Sequence, residues 1–82
     1  MRSGIDQELL EYARRSPHAL RFEEALRLSR QLGFEKVRQV RGQRIFRHAA
    51  VGPLNLQQGR HGCAKAYQVK RMLRAWRGSG RV

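Results

Sequence analysis

The spacing of apolar residues changes at Gly33, and this change limits the folds that the chain can adopt. Before Gly33, apolar side chains recur every three or four residues, which predicts helices over about 6–15 and 21–32. Residues 36–40 are rich in β-branched side chains, and 41–42 can form a turn before a second strand at 43–48. A third strand is predicted at 54–57, and a final helix at about 64–76.

Signals at the helix ends support this division. Ser3 or Asp6 can cap the first helix, Pro17 ends it, and Gly33 is a typical residue after the last turn of the second. The side chains expected in the core are Ile5, Leu9, Tyr12 and Ala13, then Phe22, Ala25, Leu26 and Leu32, and finally Ala66, Val69, Met72, Leu73 and Trp76.

The strand residues predict which side chains share a face of the sheet. In the second strand, alternation puts Arg44, Phe46 and His48 on one face and Ile45 and Arg47 on the other. Val37 and Val40 do not alternate, so we expect a bulge there. A turn at 51–53 would lead into the third strand, which would send Leu54 and Leu56 to the core and Asn55 and Gln57 outward.

Strands and helices that follow one another in blocks are typical of the α+β class. We therefore expect a three-stranded antiparallel sheet with the helices on one face, while the other face stays solvated and basic. At 82 residues the chain has room for one domain.

Charge is divided unevenly along the chain. The formal net charge is +12, and all six acidic residues lie within residues 1–35. The basic residues after that point are Lys36, Arg38, Arg41, Arg44, Arg47, Arg60, Lys65, Lys70, Arg71, Arg74, Arg77 and Arg81. A codon bias could favour arginine over lysine, but it would not remove every acid, so a polyanionic partner is the better interpretation.

Other partners are not favoured by the sequence. The chain has no long apolar run and no signal-peptide pattern, so we expect a cytoplasmic protein without a membrane partner. The single cysteine, Cys63, cannot form an internal disulfide and is expected to be a small buried residue. The spacing of His48, His61 and Cys63 is not that of a zinc site, and we expect neither a metal nor a small-molecule cofactor.

Several segments of residues 21–76 occur together in one known family. They are Leu54-Asn55-Leu56-Gln57, Gly62 and Ala64-Lys65-Ala66-Tyr67-Gln68-Val69, with Arg21-Phe22, Leu32-Gly33-Phe34 and Ile45-Phe46-Arg47-His48 before them. Because these segments occur in this order, the chain resembles the HicA family of toxin–antitoxin ribonucleases. The resemblance implies a double-stranded-RNA-binding-like α-β-β-β-α fold at 21–77, and the residue pattern adds a helical extension at 1–20 and a flexible tail at 78–82. It also implies cleavage of messenger RNA and neutralisation by a HicB-type antitoxin. The expected binding partner is messenger RNA, whose double-stranded regions are candidate binding sites.

The chain departs from that family at the histidine proposed as general base. The family has Gly-Ser-His before this strand, whereas here either Gln43 occupies the position of the histidine or Gly42 matches the glycine and a residue is lost. A glutamine amide cannot take the proton from a 2′-hydroxyl.

The candidate site follows from these observations. His48 is the next candidate base, and the alternative is that it only packs or contacts phosphate. The predicted RNA-binding residues are Arg38, Arg41, Arg44, Arg47, Arg60, Lys65, Lys70, Arg71 and Arg74. The leading hypothesis is a HicA-like toxin that binds and cleaves messenger RNA, and the alternative is an inactive relative that binds RNA or an antitoxin.

Overall fold

The computed structural model describes residues 5–41, 43–48 and 52–78. The elements in chain order are α1 (Gln7–Arg15), a 3-10 turn (Pro17–Ala19), α2 (Phe22–Gln31), β1 (Glu35–Val40), β2 (Gln43–His48), β3 (Gly52–Gln57), a second 3-10 turn (Arg60–Gly62) and α3 (Ala66–Gly78).

The three strands form one antiparallel sheet in the order β1-β2-β3. Phe46, Leu54 and Leu56 are buried on the face toward the helices. Helix α2 contacts β1 and β3, helix α3 contacts β3, and α1 contacts α2 and α3. The predicted α+β class is therefore confirmed, and the buried apolar residues of all three helices join one core with the sheet.

Helix α1 begins where the sequence predicted, because the carboxylate of Asp6 accepts a hydrogen bond from the Leu9 backbone N–H at 3.1 Å. The other predicted cap, Ser3, lies outside the described residues. Leu9, Leu10 and Ala13 are buried, whereas Tyr12 was predicted in the core and is exposed. The buried stripe is therefore centred on Leu9, Leu10 and Ala13, which leaves Tyr12 at its edge.

Helix α2 ends as the sequence predicted. Gly33 has a φ of 99°, the Phe34 N–H donates to the Ser29 carbonyl at 2.9 Å, and the Gly33 N–H donates to Arg30 at 3.1 Å. This pair of hydrogen bonds closes the helix in a Schellman arrangement. The helix buries Leu28 and Ser29, which the predicted stripe omitted, and Ser29 satisfies its hydroxyl by donating to the Leu26 carbonyl at 2.7 Å.

The predicted bulge is confirmed, since the register of β1 against β2 shifts between Lys36 and Arg38. The predicted turn at 51–53 is wrong for Gly52 and Pro53, which pair with β2 as the first residues of β3. Proline is tolerated there because β3 is an edge strand. Gly42 and Val51, which were both predicted in turns, lie outside the described residues.

Helix α3 begins at Ala66, two residues later than predicted. The Ala64 N–H donates to the Leu20 carbonyl at 2.9 Å, and Cys63 and Arg21 form a β-bridge, so the chain stays extended up to this point. Cys63 is half-buried rather than buried. The predicted tail includes Gly78, which ends α3, while 79–82 lie outside the described residues. Of the helices described, none is long and apolar enough to cross a membrane.

Candidate nucleic-acid interface

Helix α3 separates its side chains into a buried face and a basic face. Gln68, Val69, Met72 and Leu73 are buried. The exposed residues on the opposite side, which we name the α3 ridge, are Tyr67, Lys70, Arg71, Arg74 and Arg77. At about 100° per residue these five fall within an arc of about 120°, and they extend over about 15 Å of the helix axis. The ridge is thus a compact row of four cations beside one aromatic ring.

The ridge cations have no acidic neighbours. Within the described ranges, the ion pair found within 4.0 Å joins Arg14 and Glu11 on α1, and none involves the ridge. Lys70 and Arg74 lie one helical turn apart, where like charges destabilise a helix. The arrangement is therefore unfavourable for the free protein and suited to a polyanion that would relieve the repulsion.

Two clefts border the ridge on either side. Toward α1, a groove of about 430 Å³ has an apolar floor that includes Leu10, Leu73 and Trp76, and Arg14 and Arg77 lie among its cations. Toward the sheet, a smaller cleft of about 180 Å³ lies between α3 and β3. Its lining residues are Pro53, Asn55, Tyr67, Gln68 and Arg71.

The open face of the sheet is less basic than the sequence predicted. Register and alternation place Arg38 and Arg47 on this face together with Glu35, Val40 and Ile45. Arg47 lies directly opposite Glu35, so part of its charge is compensated across the strands. The open face therefore offers two arginines beside an acid, two aliphatic side chains and the uncharged Gln43, Pro53, Asn55 and Gln57, and it is a weaker anion-binding surface than the ridge.

Arg44 does not share that face. It lies on the same side as buried Phe46, its guanidinium carbon is 5.3 Å from the centre of the Phe22 ring, and its Nε donates to the Gln39 side chain at 3.0 Å. These contacts are those of a cation–π pair at the edge of the core. Arg44 and Arg47, both predicted to contact RNA, thus point to opposite sides of the sheet. Arg41 lies beyond β1 in a turn, exposed, with a φ of 49°.

The two positions considered for a catalytic base are far apart. His48 is half-buried at the end of β2 toward the helices, with its ring centre 5.0 Å from that of Phe34 in an edge-to-face contact. Gln43 lies at the other end of β2, about 17 Å away at about 3.3 Å per residue, and alternation turns it to the opposite face. The structure therefore does not bring Gln43 and His48 into one site.

The remaining predicted residues, Arg60 and Lys65, line a third cleft at the start of α3. Its volume is about 380 Å³, and His18, His61 and Tyr67 also line it. His18 carries no functional signal in the sequence, because it lies in the 3-10 turn after α1, far along the chain from the basic half. The pairing of Leu20 and Arg21 with Ala64 and Cys63 brings these segments together.

The loop that carries His61 is held by its own backbone. The Gly59 N–H donates to the Cys63 carbonyl at 2.6 Å, and the Cys63 N–H donates to the Arg60 carbonyl at 3.0 Å. His61 adopts a φ of 57°, which non-glycine residues rarely do. In the part of the chain that the structure covers, no group of three histidine, cysteine or acidic side chains is placed to hold a metal.

Comparison of the chain with protein-family models, curated proteins and solved structures found no match. The candidate interface therefore rests on the geometry and the charge described above.

Proposed function

We propose that this protein binds RNA through the α3 ridge, on a double-stranded-RNA-binding-like fold of the HicA type. The observation that carries the proposal is the ridge itself, where four exposed cations lie within about three helical turns and no carboxylate lies within 4.0 Å in the described part. Arginine and lysine in such rows contact phosphate oxygens, which supplies affinity without reading sequence. RNA is preferred over other polyanions because of the resemblance to HicA toxins.

Loss of ridge charge should be visible in the salt dependence of binding. For the wild-type protein, we expect the affinity for a labelled single-stranded RNA to fall steeply between about 50 and about 200 mM salt. The double variant Lys70→Gln/Arg74→Gln should lower the magnitude of the log–log slope by about 1.4, because each phosphate contact on a single strand contributes about 0.7. Fluorescence anisotropy at several salt concentrations measures this slope.

A matched control removes the same charge elsewhere. Arg27 and Arg30 are exposed on α2, close in sequence to Glu23 and Glu24, and Arg27→Gln/Arg30→Gln should leave the slope as it is in the wild type. An equal loss of slope in both double variants would mean that net charge, rather than the ridge, governs binding. If the wild-type protein does not bind RNA at low salt, the proposal is wrong.

A HicB-type antitoxin is the protein partner that the resemblance suggests. The groove between α1 and α3 supports this partner, because an apolar floor of Leu10, Leu73 and Trp76 bordered by cations suits an acidic amphipathic segment. Lys70 and Arg74 belong to both this groove and the ridge. A segment docked there would therefore compete with RNA, which is the behaviour expected of a neutralising partner.

Cleavage of RNA is a second candidate function, and the cleft at the start of α3 favours it. His18 and His61 are both exposed and line this cleft with Arg60 and Lys65. One imidazole would take the proton of a 2′-hydroxyl while its oxygen bonds to phosphorus, and the other imidazole would protonate the leaving 5′-oxygen as its bond to phosphorus breaks. The products would be a 2′,3′-cyclic phosphate and a 5′-hydroxyl, and the two cations would stabilise the charge on the phosphorus oxygens.

A further inference from the structure

The small cleft between α3 and β3 combines three groups that suit a nucleobase rather than a phosphate alone. It has the exposed aromatic ring of Tyr67, the edge of β3 at Asn55 and the cation of Arg71. Its volume of about 180 Å³ is less than half the 430 Å³ of the groove toward α1. The smaller space suits a single flat ring system.

Tyr67 is the most exposed of the large hydrophobic residues that the structure describes, at 62%. A ring so open to solvent contributes little to the core, so its position among the ridge cations needs another explanation. Base–aromatic stacking beside a basic groove is the usual way in which proteins hold single-stranded nucleic acid. Arg71 lies one helical turn beyond Tyr67 on the same side of α3, where it can contact the phosphate next to a stacked base.

The orientation of the Tyr67 ring is linked to the sheet through Gln68. The Oε1 atom of this buried residue accepts a hydrogen bond from the Gln57 backbone N–H at 2.7 Å. Its Nε2 atom is therefore directed away from the strand, and it donates to the Tyr67 hydroxyl at 3.4 Å. The amide thus connects the edge of β3 to the ring and holds the two walls of the cleft together.

The edge of β3 supplies hydrogen-bonding groups to the same cleft. Both backbone groups of Gln57 point away from β2, since its N–H bonds Gln68 and its carbonyl accepts from Lys65 at 3.3 Å. Alternation along an antiparallel strand then directs the N–H and carbonyl of Asn55 outward as well. At the next outward position Pro53 has no N–H, so this stretch is a poor template for another strand.

From these observations we infer that the cleft between α3 and β3 binds one unpaired nucleobase of the RNA. Tyr67 stacks on the base, the outward backbone N–H and carbonyl of Asn55 hydrogen-bond its edge, and Arg71 holds the adjacent phosphate. The inference rests on the proposed RNA-binding function and adds the class of substrate, which is RNA with an unpaired base rather than a continuous duplex. A base inside a duplex has both faces stacked and its pairing edge occupied, so it cannot enter the cleft.

The test compares one short RNA as a single strand and as a duplex, with 2-aminopurine at a single position. The wild-type protein should bind the single strand more tightly, and stacking should quench the 2-aminopurine fluorescence. Tyr67→Leu should weaken single-strand binding by about 5- to 150-fold, which corresponds to the usual loss for one stacked base. It should also abolish the quenching and weaken duplex binding much less than single-strand binding, and Tyr67→Phe should retain both affinity and quenching.

Two further variants separate a role in the cleft from a general effect. Asn55→Pro removes the outward backbone N–H and should weaken single-strand binding without changing its salt slope, because it removes no charge. Tyr12→Leu changes the same residue type on α1, away from the ridge, and should behave as the wild type. Because Tyr67 is exposed and the Asn55 N–H faces away from β2 on an edge strand, these substitutions should not unfold the protein.

The outcomes distinguish the inference from the proposed function. If Tyr67→Leu binds and quenches as the wild type does, or if the wild type prefers the duplex, the nucleobase site is wrong while salt-dependent RNA binding stands. If neither RNA form binds in a salt-dependent manner, the proposed function itself fails, and the nucleobase site fails with it.

Discussion

Gln68 should be the polar side chain whose loss most weakens the attachment of α3 to the sheet. It is 4% exposed, and its Oε1 atom accepts the Gln57 N–H at 2.7 Å on the outer edge of β3. Gln68→Met keeps the length of the side chain and removes this acceptor. The N–H of Gln57 would then be left without a partner in a region that water reaches only in part.

The expected cost follows from the burial of that N–H group. An unsatisfied buried donor costs about 1–3 kcal/mol, and because Gln57 is half-buried we expect about 1–2 kcal/mol of the free energy of unfolding. In urea, with a slope of about 1 kcal/mol per molar for a chain of this size, the midpoint would fall by roughly 1–2 M. Circular dichroism of α3 and the other helices, followed against urea concentration, measures this shift.

Gln31→Met is the matched control. The Oε1 atom of Gln31 also accepts a backbone N–H, that of Asp6 at 2.8 Å, but at an exposed position where water can replace it. We expect its midpoint to shift by less than half as much. Equal shifts for the two variants, or an unchanged midpoint for Gln68→Met, would refute the conclusion that burial of the Gln57 N–H makes this hydrogen bond important.

Two other predictions test the end of α2 and the cleft at the start of α3. Gly33→Ala should lower the free energy of unfolding by about 1–2 kcal/mol, because its φ is 99° and a Cβ would lie 2.9 Å from His48 Nε2. Thermal melts measure this loss, and Gly78→Ala is the control because a Cβ there meets nothing within 4 Å. Equal melting temperatures for the Gly33→Ala and Gly78→Ala variants would contradict this account. If the protein cleaves RNA, His18→Asn and His61→Asn should each slow cleavage by about 10²- to 10⁴-fold, whereas His48→Asn should not. Gel analysis of labelled RNA measures the rate, and loss of activity in His48→Asn alone would exclude the His18–His61 pair.

The sequence by itself determined the local elements, because their causes are local. The Asp6 cap, the glycine after α2 and the period of apolar residues act within a few positions of one another, and the helices and strands follow them closely. The bulge in β1 was also predictable, since the valines at 37 and 40 break the alternation that a regular strand requires. The excess of positive charge after residue 35 could be read directly from the chain.

Tertiary structure decided which of these residues share a site. Alternation in the sequence already put Arg44 and His48 on the face of Phe46, but only the fold showed that this face is turned toward the helices. The cleft with His18 and His61 exists because Leu20 pairs with Ala64, and the proposed nucleobase cleft exists because Gln57 bonds Gln68. Hydrogen bonds between segments distant in sequence carry no periodic signal, and for that reason only the folded chain could reveal them.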